Sequence, residues 1–458
     1  MSKAMKIGCL IFGNTVADTA EVIAEHNLNL SDCERTNRQL NADDIARIHQ
    51  SFDEALPPDC VPFYRDCIIT EHQAIDIEPA DLYVVYPFGG ISDVQFAALM
   101  SKNKPIVIAP CPYGQYWSYG CVYYPYFVRD NREISRYLGI SEDVSVVDSQ
   151  EELKKTLYAY QVKFRMENAV VLCVGEPMYE PFHSFNWGYS IVKAVQQKFG
   201  LQWMNISSEK ILQMYDSFDK EYAHGEILKD AAENHVKDAG AFDRVERLYQ
   251  LFKALIEKYE VDGFTVNCLA SIVHTTINGT ACYSLSKLND AGVVAACESD
   301  VTTLMAMMIT SFASRRPAFM LNPYLFPADN KLFVSHCSSP TRHSLAKDDA
   351  QRDDMRLYNY FEIPHMGCGI QVLREEGAEV TITGLSHNSL DRMVVVKGRI
   401  VRNTSFASCR TQLEIQTEGS IRELAEAYQG RHWALVYGDQ TDAVVRANRL
   451  LRIESILI

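Results

Sequence analysis

Apolar positions take two textures along the 458 residues. Up to about residue 364, short continuous apolar runs alternate with segments whose apolar residues recur every three or four positions. The runs KIGCLIF, DLYVVYPF, KPIVIAPC and DVSVVD predict strands, with helical patterns between them over 43–56 and 94–102. Strands that alternate with helices in this way predict a parallel, doubly wound sheet. The mixed-charge helix EELKKTLYAYQVKFRME closes this first unit. A second unit opens with the strand AVVLCVG. It continues through the helix WGYSIVKAVQQKFG, the strand LQWMNI and a helical stretch over 207–260, where SSEKILQMYDSF begins on a serine cap. The runs GFTVNC, GVVAAC, PAFML and KLFVSH are expected to complete its sheet. The segment VTTLMAMMITSFA is apolar on every side, which predicts a buried helix with Leu304, Met305, Met307 and Met308 in the core.

Beyond residue 365 the period changes to two. GIQVLREEGAEVTITGLS, RMVVVKGRIVRN and RTQLEIQTEG alternate and are joined by glycine turns, the pattern of antiparallel sheet or barrel. A short helix (SIRELAEAYQ), a strand (HWALVYGD) and a last helix (TDAVVRANRLLR) follow. The predicted class is therefore α/β, with two doubly wound parallel-sheet domains plus a C-terminal antiparallel β-rich, barrel-like domain. The expected boundaries are 1–166, 167–364 and 365–458, with the chemistry in the second domain.

Composition narrows the function. With 47% hydrophobic and 22% charged residues the chain is of ordinary globular type and can bury a large core. A net charge of -15, with no Lys/Arg block, argues against a nucleic-acid scaffold and against an anionic membrane surface. The 13 cysteines are odd in number, spread out and without a CxxC pair. That usage suits a reducing cytosol better than a disulfide framework or a structural zinc site, so a cytoplasmic protein is expected. Lys3 and Lys6 before IGCLIFG imitate a signal peptide, but the apolar run ends at Gly13-Asn14 and reads better as a first strand. No run approaches the ~18 apolar residues of a membrane helix.

Three polar residues follow apolar runs between Gly263 and Pro340: Glu298 in VVAACESD, Asn322 in AFMLNP and His336 in LFVSHCSS. Ligands and reacting groups collect at strand ends in α/β folds, so a carboxylate, an amide and an imidazole converging there predict a polar or metal-binding site. Plainer accounts exist for each. Glu298 could be a carboxylate favoured at a helix start, Asp300 a first-turn helix charge, and His336 a core histidine. His274 and Asn278 in VHTTINGT, and Arg342 with His343, could reach the same cleft. The aromatic stretches 112–127 and 176–188 suit either sugar stacking or a subunit interface, with Trp187 and His183 as pocket-wall candidates. FGGISD (88–93) lacks GxGxxG and a Walker lysine, and reads as a tight turn.

The motifs NDAGVVAACESDVTTLMAMM, PAFMLNP, VSHC and RHWALVYGD resemble the L-fucose isomerase and L-arabinose isomerase superfamily, as does the order of domains. The resemblance implies a metal-dependent aldose–ketose isomerase acting on a monosaccharide through an enediol, with deoxy or modified sugars among the candidates. It implies a divalent cation, usually Mn2+, held by Glu298, Asn322, His336 and His432. Glu298 and Asp300 would serve the proton transfer, and Trp187, His183, His274 and Arg342 the substrate. It also implies a homo-oligomer, trimer or hexamer, with the active site near a subunit interface. The relatives carry an acidic residue where this chain has Asn322. An amide oxygen can coordinate a hard cation but cannot act as a base. Two alternatives therefore stay open: related enolisation chemistry (an epimerase or C–C cleavage), or a non-catalytic sugar-binding or sensing protein.

Overall fold

The computed structural model describes residues 3–15, 39–68, 70–87, 91, 93–109, 133, 143–177, 188–218, 225–268, 276–361, 366–387 and 389–458. Lys3–Phe164 forms one compact unit and Arg165–Ile458 another. The first is built on a five-stranded parallel sheet in the order Cys60–Ile68, Met5–Phe12, Leu82–Pro87, Ile106–Ile108, Val144–Val146. Leu10, Phe12, Val85 and Ile108 pack against Phe96 and Leu99 of the helix Asp93–Met100. The four expected strands are present. Cys60–Ile68 is a fifth strand that no apolar run announces, because it lies at the sheet edge with most of its side chains exposed. The helix Ala42–Ala55 begins at a capping box in which Asn41 and Asp44 each accept from the other's backbone N–H. The aromatic stretch 112–127 and the glycine pair of FGGISD lie outside the described residues.

The second unit holds a four-stranded parallel sheet in the order Val294–Ala296, Gly263–Val266, Val170–Val174, Gln202–Ile206. Beside it six strands close into an antiparallel barrel: Glu379–Leu385, Trp433–Tyr437, Phe319–Phe326, Lys331–His336, Thr411–Thr417 and Arg392–Asn403, the last pairing back to the first. Inward residues Phe319, Leu321, Leu332, Val334, Ile382 and Trp433 share one core. The helix Val301–Ser314 lies between sheet and barrel, and its residues 301–313 are all buried, which is why its sequence shows no polar face.

Two expectations need correction. PAFML and KLFVSH belong to the barrel, not to the parallel sheet. The outward face of Phe319–Phe326 starts at buried Met320 against the α/β side, so the run is apolar on both faces and imitates a buried parallel strand. The stretch 207–260 is not wholly helical. Ala231–Asn234 forms a small sheet with Asp354–Tyr358 and Gly369–Leu373, so GIQVL also lies outside the barrel.

Candidate metal centre

The strand Val294–Ala296 leads into a turn of unusual backbone. Glu298 and Ser299 have φ values of 60° and 50°, the left-handed region that non-glycine residues enter at a cost of about 1–3 kcal/mol each. Neighbouring groups hold the turn. Ser299 N–H donates to Val266 O at 3.0 Å, Asp300 N–H to Cys297 O at 3.3 Å, and Cys297 N–H to Met320 Sδ at 3.1 Å. Asp300 then caps the helix Val301–Ser314, accepting from Thr303 N–H at 2.9 Å and from the Thr302 hydroxyl at 3.0 Å.

The barrel supplies the opposite side. His336 ends the strand Lys331–His336, and His432 immediately precedes Trp433–Tyr437. Both strands flank Phe319–Phe326, with Leu321 opposite Trp433 and Asn322 opposite Ser335, so the two histidines arrive at the same level. Glu298, His336 and His432 thus come together, each offering one ligand atom within 4.8 Å of the others.

The contacts inside this group are wrong for hydrogen bonds and right for ligands. His336 Nε2 stands 3.7 Å from Glu298 Oε1, and His432 Nε2 stands 3.6 Å from Glu298 Oε2. Two donors each about 2.1 Å from one cation sit roughly 3–3.6 Å apart. Glu298 Oε2, His336 Nε2 and His432 Nε2 are buried and have no hydrogen-bond partner among the described residues. Three converging orphan donors would be costly unless something between them satisfies all three. A carboxylate and two imidazoles fit a divalent cation.

The far nitrogens are committed elsewhere. His432 Nδ1 lies 2.9 Å from Asp300 Oδ2; a carboxylate only accepts, so Nδ1 carries the proton and Nε2 presents its lone pair inward. His336 Nδ1 meets Ser338 Oγ at 3.1 Å. Burial opposes ionisation of Glu298, but His336, His432 and Arg431 outweigh it and hold the carboxyl at about 2. Burial likewise opposes ionisation of Asp300, and His432 with Thr303 brings it to about 2. Burial alone would lower His432, yet Asp300 and Glu298 raise it above its ordinary value.

The remaining sequence candidates fall as follows. Asn322 lies within the strand Phe319–Phe326, not at its end; its Nδ2 donates to Ser335 O at 3.3 Å, which turns its oxygen to the other side. Asp300 is fully occupied by His432, Thr302 and Thr303, and stands behind the ligand rather than in the cleft. The Arg342 guanidinium donates to the carbonyls of Asp290, Ala346 and Asp349. His343 is bound to Asp353 at 2.8 Å and stacked on Tyr437, at the far end of the strand that His432 precedes. Asn278 has a left-handed backbone, and its carbonyl accepts from Arg244. Trp187, His183 and His274 lie outside the described residues. Sequence reasoning missed Thr302, Thr303 and Ser338, which hold the ligands from behind. The spacing of ESDVTT, an acid two and three residues before hydroxyls at a helix start, was the visible signal for the two threonines.

No family model matches the chain. It is similar to sulfoquinovose isomerase of Clostridium sp. (strain MSTE9), 23% identical over 325 residues that cover 69% of this chain and 70% of that protein. It is similar to sulfoquinovose isomerase of Priestia aryabhattai, 26% identical over 241 residues, 50% of this chain and 52% of that one. It is also similar to sulfoquinovose isomerase of Alkalicoccus urumqiensis, 22% identical over 223 residues, 47% and 49% of the two chains. The chain therefore spans about half the length of two of these relatives. What it resembles, at low identity, are sugar isomerases.

Proposed function

We propose that this protein is a divalent-cation-dependent aldose–ketose isomerase whose substrate is a modified monosaccharide of the sulfoquinovose kind. One observation carries the reading: the inward-facing donors of Glu298, His336 and His432 are buried, convergent and unsatisfied. The similarity to sulfoquinovose isomerases supports the substrate class. Asn322 is assigned as a neutral fourth ligand through its amide oxygen. One carboxylate, one amide and two imidazoles favour manganese among hard divalent cations. The described residues contain no helix long and apolar enough to cross a membrane.

Aldose–ketose conversion moves one proton between C1 and C2 and another between O1 and O2. A bound divalent cation would polarise these oxygens and stabilise the negative charge of the enediolate. Glu298 is assigned as the base that takes the C2 proton and returns it to C1. Asn322 has no proton-accepting carboxylate, so this transfer rests on Glu298 alone among the ligands. Asp300 does not touch substrate; it fixes the tautomer and direction of His432.

The test is turnover of sulfoquinovose by the manganese-loaded protein in deuterated water, followed by NMR. The expected result is a ketose product that carries solvent deuterium at C1, and its absence with Glu298→Gln. Loaded protein that exchanges deuterium without forming ketose would instead indicate epimerisation, and no exchange at all would refute an enolisation enzyme.

A further inference from the structure

The outward face of the strand Phe319–Phe326 emerges from the metal centre onto open surface. Met320 is fully buried and touches the Cys297 backbone at the root of the Glu298 turn. Asn322, two residues on, is half-buried beside Ser335. Tyr324 is 45% exposed and Phe326 50%. The neighbouring strand places Phe333 directly opposite Tyr324, with ring centroids 5.5 Å apart. Phe406, 62% exposed, continues the row at 5.8 Å from Phe333. A strip of aromatic rings thus starts about 7 Å from Asn322, two residues of extended strand.

Exposed contiguous aromatics of this kind mark a binding surface rather than ordinary surface. Two features choose the occupant. The strip is continuous with the ligand-bearing row, one pleat beyond Asn322 and Ser335. It also has one half-buried hydroxyl beside it, Ser408 Oγ, 3.3 Å from the buried Ser335 Oγ. Rings for C–H faces next to a hydroxyl are the complement of a sugar. A hexose with C1 and C2 at Glu298 would lay its distal carbons along this row.

We propose that Tyr324 and Phe333 form the stacking wall for the distal carbons of the sugar, with Tyr324 Oη bonding its terminal polar group. This rests on the isomerase reading for where C1 and C2 sit. The test is calorimetric binding of sulfoquinovose to the manganese-loaded protein, with Tyr324→Ala, Tyr324→Phe and Phe406→Ala beside the wild type. Tyr324→Ala is expected to weaken binding about 3- to 10-fold, with Tyr324→Phe recovering the stacking part and Phe406→Ala changing little. Manganese content and elution volume should be unchanged in all three. Equal affinity of Tyr324→Ala and wild type overturns the proposal, as does wild-type protein that does not bind the sugar. A change in oligomeric state in Tyr324→Ala also overturns it, because the strip would then join copies of the chain. Strip-dependent binding without turnover would fault the isomerase reading and leave the stacking wall standing.

Discussion

At the scale of single residues, the centre depends on a division of labour between Glu298, which faces the cleft, and Asp300, which does not. Asp300 has every oxygen engaged, and one of its partners is His432, 132 residues away in sequence. Its substitution by Asn keeps a helix cap but weakens the grip on His432 Nδ1. Asp300→Asn is expected to lower manganese affinity about 10–100-fold while the far-UV spectrum stays unchanged; equal affinity in a metal titration would remove its positioning role. The protonation of His432 sets the pH response. Cation binding needs a neutral Nε2, and Asp300 and Glu298 raise the pKa of His432. Manganese affinity should therefore fall as pH drops through that raised value, a decline that begins above the ordinary histidine range of about 6.5. A flat affinity across that range in a series of titrations would contradict the ligand assignment. Glu298 and His336 were legible because each sits at the end of an apolar run, whereas His432, which immediately precedes a strand, came only from the resemblance. Asp300 was legible as a first-turn helix charge close to Glu298, but its bond to His432 was not, since a partner so distant leaves no trace in local spacing.

At the scale of elements, the site is made by a strand, a left-handed turn and a buried helix pressed against a barrel. The helix Val301–Ser314 packs on the parallel sheet on one side and on barrel strands on the other, so it carries the geometry between Glu298 and His432. Leu304→Ala removes a fully buried side chain one turn from Asp300. It is expected to cost about 2–5 kcal/mol in denaturant unfolding and to weaken manganese binding as well; a loss of stability with unchanged affinity would show that helix packing does not set the centre. Helices and central parallel strands were readable from periodicity, as was the change to period two after residue 365. The strands Phe319–Phe326 and Lys331–His336 were assigned to the wrong sheet because their outward faces also carry apolar or aromatic side chains (Met320, Tyr324, Phe326 and Phe333), which erases the alternation that marks a barrel strand. Cys60–Ile68 failed in the opposite way, since an exposed edge strand shows no apolar run.

At the scale of the whole molecule, the unit Arg165–Ile458 contains both halves of the centre, so a bound cation would link its parallel sheet to its barrel. Without a cation, protonated His432 paired with Glu298 and Asp300 contributes stability below its unfolded pKa, and that contribution is lost as pH rises through its raised folded value. Added manganese should therefore raise Tm more at pH 8 than at pH 6, as scanning calorimetry at the two pH values would show. The most direct test of the account is the metal content of the purified, manganese-supplied protein beside a Glu298→Ala variant, measured by elemental analysis. The account predicts close to one manganese per chain in the wild type and its loss in the variant. Wild-type protein that retains no manganese, or a variant that retains as much as the wild type, would contradict it.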